Sequence, residues 1–319
     1  MAPDPLSAAL ALVNARCVVS GIFSVGGAWA LRFHPPARLK LAVVARGCCW
    51  LALEDNPGPV WLEEGDVAVS NGPHGLVVAS DLSVEPSDGM KLYEESATPF
   101  VSVGDSEEVK IICGHVQLNE SGDELLLAAL PHLTHIRAGA EASAVRWPLD
   151  RLLDEAASLR PGSSFATDQH AQLLLVEVLR ACITDVDSFP PGWLRALADE
   201  RIAPALRLMH ADPARPWRLD ELARAAAMSR TAFAAHFKEA AGIPPLAYLH
   251  RWRMRVAERA LRDDDVPIAT LAYSLGYNSE SAFSTAFKRT AGVSPRRYRE
   301  AERAGVEKGD AAAAEPAAV

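Results

Sequence analysis

Two stretches of sequence that lie fifty residues apart decide the fold of the C-terminal third. Residues 229–248 read SRTAFAAHFKEAAGIPPLAY, and residues 279–298 read SESAFSTAFKRTAGVSPRRY. A serine, an Ala-Phe pair, a Phe-Lys pair, a glycine, a proline and a tyrosine recur in both, always at an offset of 50. So many matches at a single offset indicate an internal repeat.

Each copy has the pattern of a short capped helix. Ser229 and its counterpart Ser279 are residues that cap helix N-termini, and Gly242, like the second copy's glycine, can end a helix in the left-handed conformation. Phenylalanines four residues apart share one face, which we expect to be buried. An earlier helix is predicted before each copy, at 220–227 and at 267–275, followed by a short turn. This order of elements predicts two helix-turn-helix units.

The buried face defines the face that is left for DNA. A recognition helix needs short polar or basic side chains that can enter a major groove about 12 Å wide. We predict that Arg230 reads guanine and that Glu280 accepts a hydrogen bond from cytosine N4. The predicted DNA-binding set is Arg230, Thr231, Ala234, Ala235, Lys238, Glu280, Ser281, Ser284, Thr285, Lys288, Arg289 and Arg296.

Phosphate contacts are predicted for a basic subset, because such contacts position a protein on DNA without reading bases. That subset is Lys238, Lys288, Arg289, Arg296, Arg297 and Arg299. A long helix at 247–262 is predicted between the two units, where it would fix their relative placement. Two roles stay open for its arginines, phosphate binding or a solvated, salt-bridged face; they are Arg251, Arg253, Arg255, Arg259 and Arg262.

The charge of the chain is unevenly distributed. The 319 residues carry a net charge of −9, but residues 200–303 carry +6 and residues 1–199 carry −13. Phosphate binding needs a basic surface on one domain and not a basic chain. The distribution therefore favours a C-terminal domain that meets nucleic acid.

Residues 217–299 resemble the DNA-binding domain of AraC/XylS-type transcriptional regulators. The resemblance implies two helix-turn-helix units that read successive major-groove segments of double-stranded DNA, with RNA polymerase as a partner. Many relatives carry large polar residues where this chain has Ala234 and Ala235. The matching residues are Leu222-Ala223, Met228-Ser229, Phe237-Lys238, Gly242, Pro245, Gly276-Tyr277, Ser281, Phe283, Phe287-Lys288, Gly292, Ser294-Pro295 and Tyr298-Arg299.

The first 120 residues read as short strands separated by turn signals, which is typical of a sandwich or barrel. Gly47, Gly65-Asp66 and the turn at 71–74 resemble the cupin-type effector domain that part of this family carries. The fold class predicted is therefore α+β in two domains: a cupin-like β-barrel with a helical segment, then an all-α double helix-turn-helix. Enzymatic cupins usually show a His-x-His pair, but His34 is followed by two prolines.

A metal site is an alternative for this half. His34, His74, Cys113 and His115 could converge in a barrel, and imidazole and thiolate suit zinc. The alternative interpretation is ordinary: a surface histidine at 74 and a small buried hydrophobe at 113. DNA binding itself is expected to need no cofactor, so zinc is an option only for the N-terminal half.

The domain plan predicted from these patterns has four parts: a sensor at 1–135, a helical linker or dimerisation segment at 136–192, the DNA-binding domain at 193–303 and a disordered tail at 304–319. Helices are predicted at 124–133, 149–159 and 168–183, the last packing either on a homodimer partner or on the chain's own sheet.

The expected function is a cytoplasmic, non-enzymatic transcription regulator, an activator or a repressor, controlled by a small-molecule or redox effector. No run of about 18 apolar residues appears, so no membrane span is expected. The five cysteines have no framework spacing and are expected to be reduced thiols. The alternatives are a cupin metalloenzyme or a zinc or thiol redox sensor fused to a DNA-binding domain.

Overall fold

The chain folds into two compact units. The first, called the sheet unit, is Asn14–Ala198, and the second, called the helical unit, combines Met1–Val13 with Asp199–Val319. The computed structural model describes residues 4–34, 39–54, 58–71, 74–96, 100–104, 106–119, 126–127, 129–138, 143–158, 160–184 and 189–313.

Short strands dominate the sheet unit, as predicted. They are β1 (Arg16–Val25), β2 (Ala30–Phe33), β3 (Lys40–Arg46), β4 (Cys49–Leu53), β5 (Val60–Leu62), β6 (Val67–Ser70), β7 (Leu76–Ala79), β8 (Ser87–Asp88), β9 (Phe100–Val103), β10 (Val109–Gln117) and β11 (Leu133–Ile136). They pair as a six-stranded sheet in the order β11-β6-β3-β10-β1-β9 and a five-stranded sheet in the order β5-β4-β7-β2-β8.

Alternating side chains of the two sheets build one core. In β4, Cys49, Leu51 and Leu53 are buried, while Trp50 and Ala52 between them are half-buried, as the period of two in a strand requires. Side chains from both sheets belong to the same apolar cluster, among them Phe23, Val44, Ile111, Leu31 and Val78. The β-rich architecture predicted for this half is confirmed, with its strands paired as two sheets around the core.

The helices of the sheet unit follow mainly after the strands. They are α2 (Gly89–Glu94), α3 (Ser143–Ala156), α4 (Ser163–Thr184) and α5 (Trp193–Ala198). α3 packs on α4, and α4 packs on β1. Gln172 on α4 ties the helix to the sheet, since its amide donates to Ala15 O and its oxygen accepts from Cys17 N.

The helical unit contains α1 (Pro5–Leu12), α6 (Ala203–Ala211), α7 (Leu219–Ala225), α8 (Arg230–Ala241), α9 (Pro245–Asp263), α10 (Ile268–Ser274), α11 (Glu280–Ala291) and α12 (Pro295–Ala313). The N-terminal helix α1 packs against α6 and α9, so the chain begins in the helical unit before it enters the sheet unit. This arrangement differs from the predicted plan, which assigned residues 1–135 to one sensor domain.

Other predicted boundaries also differ from the structure. The segment predicted as a linker, 136–192, contributes α3 and α4 to the sheet unit. The tail predicted to be disordered from 304 continues α12 to Ala313, and 314–319 lie outside the described residues. β11 begins at the end of the helix predicted at 124–133, whose residues 124–125 and 128 also lie outside them, as do 56–57 and 72–73 of two predicted turns.

Among the helices that the structure describes, none is both long and apolar enough to cross a bilayer.

Candidate DNA-binding surface

The two predicted recognition helices, α8 and α11, are twelve-residue helices with the same ends. Ser229 caps α8 by accepting a hydrogen bond from Ala232 N at 3.2 Å, and Ser279 caps α11 by accepting one from Ala282 N at 3.1 Å. Gly242 and Gly292 end these helices with φ of +74° and +76°. Both predicted caps and both predicted left-handed glycines are therefore confirmed.

The same face is buried in both helices. Phe233 and Phe237 of α8 and Phe283 and Phe287 of α11 have no exposed surface. Full burial of a phenylalanine side chain contributes about 1.5–3 kcal/mol. Phe237 meets Tyr248 edge-on, and the equivalent ring contact recurs one repeat later. These rings hold each recognition helix in one rotation about its axis, so its other face is left open.

The open face of α11 forms a shallow groove. The groove combines hydroxyl groups, which can donate or accept hydrogen bonds, with two cationic side chains. Glu280 lies outside it as an exposed residue of the first turn. The groove is lined by Ser281, Ser284, Thr285, Lys288, Arg289 and Ser294, of which the sequence had predicted all but Ser294 as DNA-binding residues.

The open face of α8 is less polar. Arg230, Thr231 and Lys238 are exposed, while Ala234 is half-buried and Ala235 is exposed. Arg230 Nε lies 3.5 Å from Asp220 Oδ1, and both side chains are more than half exposed. An exposed ion pair of this kind contributes little, about 0–1 kcal/mol, so DNA can take the guanidinium from it. A second shallow groove, beside the start of α8, is lined by Arg230 together with Arg224, a cation that the sequence pattern did not indicate.

The turns before the two recognition helices share one left-handed position. Gly276 has φ of +80°, and Ala227 occupies the same position, one residue after the buried Ala226 and Leu275, with φ of +52°. A left-handed residue with a Cβ costs about 1–2 kcal/mol, which glycine avoids. The turn of the first helix-turn-helix unit therefore contains backbone strain that the turn of the second does not.

We expect Ala227→Gly to stabilise the helical unit by up to about 1 kcal/mol, because relief of the left-handed strain exceeds the extra chain entropy of glycine. Urea unfolding of the full chain measures the change. Ala235→Gly is the matched control: the same replacement on the exposed face of α8 should destabilise by about 1 kcal/mol. Destabilisation by both substitutions would contradict the assignment of strain to Ala227.

The arginines of α9 and α12 mostly hold the protein together. Arg255 pairs with Glu258, and Arg259 and Arg262 both pair with Asp263. Arg299, predicted to bind phosphate, is only slightly exposed and donates to Val266 O. For these residues the structure favours the salt-bridged role. For Arg299 a sequence pattern could not decide this, because its partners lie in a separate loop, whereas the partners of the three α9 arginines lie within four residues on the same helix.

Arg296 remains on the outside of the protein. Its side chain is largely exposed and its Nε lies 3.0 Å from Glu300 Oε1, one turn further along α12. Such an i,i+4 pair is weak and does not prevent a phosphate contact.

His210 was not singled out by the sequence, yet it lies on the face of α6 that meets α9 in the helical unit. Its ring stacks on Trp252 with centroids 3.6 Å apart, and its Nε2 lies 2.8 Å from the Tyr248 hydroxyl. Burial lowers the pKa of His210 to about 3. The residue is therefore neutral at the pH of a cell, and its protonation opposes folding.

We expect the helical unit to lose stability as the pH falls below about 6.5, the pKa of an unfolded histidine. The unfolded chain then binds a proton that the folded His210, with its pKa near 3, does not. Linkage gives a loss of about 2 kcal/mol between pH 7.5 and 5, which His210→Phe should remove while it keeps the stacking on Trp252. Urea titrations at both pH values test this. His74→Phe, in the sheet unit, is the control, and equal pH slopes for wild type and His210→Phe would refute the prediction.

Two residues of the predicted metal site lie in separate surroundings. His34 is exposed, with Nε2 at 3.4 Å from Asp88 Oδ2. His74 packs edge-on against His132 with ring centroids 5.2 Å apart. Each imidazole therefore has its own local partner.

The other two residues lie on β10. His115 Nδ1 is 2.7 Å from Ser20 Oγ, and burial raises the pKa of Cys113 to about 12. Among the described residues, which include all four predicted ligands, no group of three or more His, Cys, Asp or Glu side chains is placed to hold a metal ion. The structure thus does not assemble the predicted zinc set His34, His74, Cys113 and His115.

The thiol chemistry agrees with this arrangement. Burial raises the pKa of Cys17 and of Cys49 to about 12, as it does for Cys113. Because the thiolate is the reactive species, these thiols are poor nucleophiles at neutral pH.

The fold and this surface define a class of protein: a DNA-binding regulator with two helix-turn-helix units and a sheet domain. Known families agree. A cupin family model matches residues 4–184, and a helix-turn-helix domain model matches residues 222–301. The chain belongs to the AraC-type family of transcription regulators, in the group with an N-terminal cupin domain.

Individual relatives show the same organisation along their whole length. AraC-like transcription regulators of Streptomyces antibioticus and Streptomyces lividans are each 38% identical to this chain, over 93% of it and 98% of their own length. Among solved structures, the DNA-binding domain of AdpA in complex with a target DNA is 30% identical, with a TM-score of 0.31, over 33% of this chain and 96% of that one.

Proposed function

We propose that the helical unit recognises specific double-stranded DNA by placing α8 and α11 in successive major-groove segments. The observation that carries this proposal is the equivalence of the two helices. They share caps, length and buried face, and the predicted DNA-binding residues lie on their open faces or just beyond, each exposed or half-exposed. One construction repeated twice suits a ligand that itself repeats, as the grooves of B-DNA do about every 34–36 Å.

The side chains divide between bases and phosphates. Arg230 suits the O6 and N7 acceptors of guanine, and Glu280 suits the N4 donor of cytosine. Ala234 and Ala235 offer apolar contact to a thymine methyl group. Thr231, Ser281, Ser284 and Thr285 contact bases or phosphate, and Lys238, Lys288, Arg289 and Arg296 contact phosphate.

Footprinting over the DNA upstream of the protein's own gene tests the proposal, both with and without cell extract as a source of effector. We expect protection of two neighbouring segments about one helical turn apart. Absence of any protected site under both conditions would contradict it.

Salt dependence tests the phosphate contacts separately. Four phosphate contacts predict that the logarithm of the affinity falls with the logarithm of the salt concentration with a slope of about −3.6. Each lysine or arginine side chain that binds a phosphate releases counterions from the DNA. Fluorescence anisotropy between about 50 and 200 mM salt measures the slope. Each single Lys or Arg to Gln replacement within the phosphate set should reduce its magnitude by about 1. A slope near zero would show that this surface does not meet DNA.

The proposal for the sheet unit is that it senses an effector and performs no catalysis. Support comes from the two Streptomyces regulators, which match this chain over nearly their whole length. We infer a small-molecule or redox effector and a location in the cytoplasm, where the DNA is. Metal analysis of the purified protein, combined with a turnover assay, tests this: stoichiometric iron or manganese with turnover would favour a cupin enzyme instead.

A homodimer formed through the sheet unit's helices completes the proposal. Trp147 on α3 is 58% exposed, and Phe165 and Leu173 on α4 are 70% and 45% exposed. Other apolar residues of α4 are buried inside the unit, among them Leu175, Val178 and Leu179. Sedimentation of the wild type and of a Phe165→Ser, Leu173→Ser variant tests the dimer, and identical profiles would contradict it.

RNA polymerase is the proposed downstream partner, with activation as the sign of regulation. The support is membership of this regulator family. Transcription in vitro from a promoter that carries the footprinted site tests the assignment, since the protein should raise transcript yield.

A further inference from the structure

Helix α9 connects the two helix-turn-helix units and is called the linker helix below. It carries an arginine that contacts the segment leading into the first of these units. Arg253 Nε donates to Pro213 O, and its Nη2 donates to Arg215 O at 2.8 Å and to Ala214 O at 3.4 Å. These carbonyl groups belong to the connection between α6 and α7. One guanidinium therefore fixes three consecutive residues of that connection to the linker helix.

The connection between α6 and α7 also touches the second helix-turn-helix unit. A Cβ at Gly276, in the turn before α11, would lie 2.0 Å from Ala214 O and 3.2 Å from Ala214 Cα. The next residue, Tyr277, places its hydroxyl 3.2 Å from Nδ1 of His250 on α9. The connection that leads into the first unit and the turn of the second thus pack together beside Arg253.

The charge and the planar shape of the Arg253 guanidinium restrict this junction to one arrangement. Burial lowers the pKa of Arg253, while the nearby Tyr277 and Asp212 favour its charged form. A guanidinium presents its donors in a rigid planar fork, so three carbonyl acceptors are satisfied together in only one geometry. Displacement of the first unit against the second would leave a partly buried charge without partners, which is costly.

We propose that Arg253 is a positioning residue that sets the spacing between the two DNA segments that the protein accepts. The inference rests on the proposed function, in which both recognition helices enter DNA. Each added base pair moves the second segment by about 3.4 Å and rotates it by about a tenth of a turn. A rigid junction cannot follow this change, whereas a loosened one can.

The test uses the full chain and an operator selected from random DNA, then rebuilt with one or two base pairs added or removed between its two segments. For the wild type we expect affinity to fall by about tenfold or more at a change of one base pair. Arg253→Lys keeps the charge but loses the fork, and should reduce that discrimination to about threefold or less. Arg251→Lys is the matched control, because Arg251 is an exposed arginine of the same helix.

Every outcome decides a separate point. If the wild type selects no operator, the proposed function fails. If it selects one but tolerates every spacing, DNA recognition stands and the positioning role is wrong. A folded Arg253→Lys variant with the wild-type spacing profile also overturns the role, as does an equal change in Arg251→Lys.

A second variant covers the case in which Arg253→Lys does not fold, as judged by circular dichroism. Tyr277→Phe removes the hydroxyl near His250 and keeps the ring that packs on Phe283. It should relax the spacing preference in the same direction by a smaller factor, and an unchanged preference in this variant would overturn the proposal.

Discussion

Gly276→Ala is expected to destabilise the helical unit by about 2–5 kcal/mol and to remove specific DNA binding. The left-handed backbone at this position, with φ of +80°, accounts for about 1–2 kcal/mol. Overpacking accounts for about 1–3 kcal/mol more, because the new Cβ would lie 2.0 Å from Ala214 O, a backbone atom that cannot rotate away. Urea unfolding and a gel-shift assay of the full chain measure the two effects.

Gly292→Ala is the matched control for this prediction. Its φ of +76° is nearly the same, but among the described residues no atom beyond its chain neighbours lies within 4 Å of the added Cβ. It should therefore cost only the backbone strain of about 1–2 kcal/mol, partly offset by the lower chain entropy of alanine, and leave DNA binding measurable. Equal losses in the two variants would show that the contact with Ala214 contributes nothing.

Arg230→Ala is expected to weaken binding to the selected operator by about 1–3 kcal/mol, or roughly 5- to 150-fold, and to relax the preference at a single base pair. Loss of two hydrogen bonds to one guanine is the physical reason. Competition binding against operators changed at each position measures both effects. The exposed ion pair with Asp220 leaves the guanidinium available for this contact.

Two further variants separate base reading from charge. Lys238→Ala, on the same helix, should weaken binding to every sequence equally, because a phosphate contact carries no sequence information. Asp220→Asn should leave the preference unchanged and tighten binding slightly, since it removes the competitor for Arg230. A uniform loss with Arg230→Ala would reassign that arginine to the phosphates.

The uneven chemistry of the two recognition helices follows from this surface. The open face of α11 presents hydroxyl groups beside two cations, whereas α8 presents Ala234 and Ala235 between Thr231 and Lys238. We expect base preference in the first half of the operator to be concentrated at the position of Arg230. The second half should depend on several weaker contacts.

Features set by neighbouring residues in the chain could be predicted from the sequence. The caps at Ser229 and Ser279, the glycines that end α8 and α11, and the four buried phenylalanines all follow from local hydrogen bonding and the period of an α-helix. The open face follows from the buried one. For the same reason, the local pattern of residues was sufficient to predict most of the candidate DNA-binding side chains.

Features set by residues far apart in the chain required the tertiary structure. The sequence does not show that Arg253 meets carbonyl groups some forty residues earlier, or that Arg299 turns inward to Val266. The predicted zinc ligands are chemically suitable, but among the described residues the fold brings no three such side chains together to hold a metal ion. Likewise α1, at the start of the chain, joins the helical unit that forms at its other end.

The repeat alone therefore determined the class of protein and the face that we propose meets DNA, because helix period, capping and burial are local properties that occur in both copies. Only the tertiary structure decided which lysine and arginine side chains are exposed for DNA and which connect the two helix-turn-helix units. A side chain's role depends on the acceptors that folding brings within about 3 Å, and a spacing pattern along the chain does not contain that information.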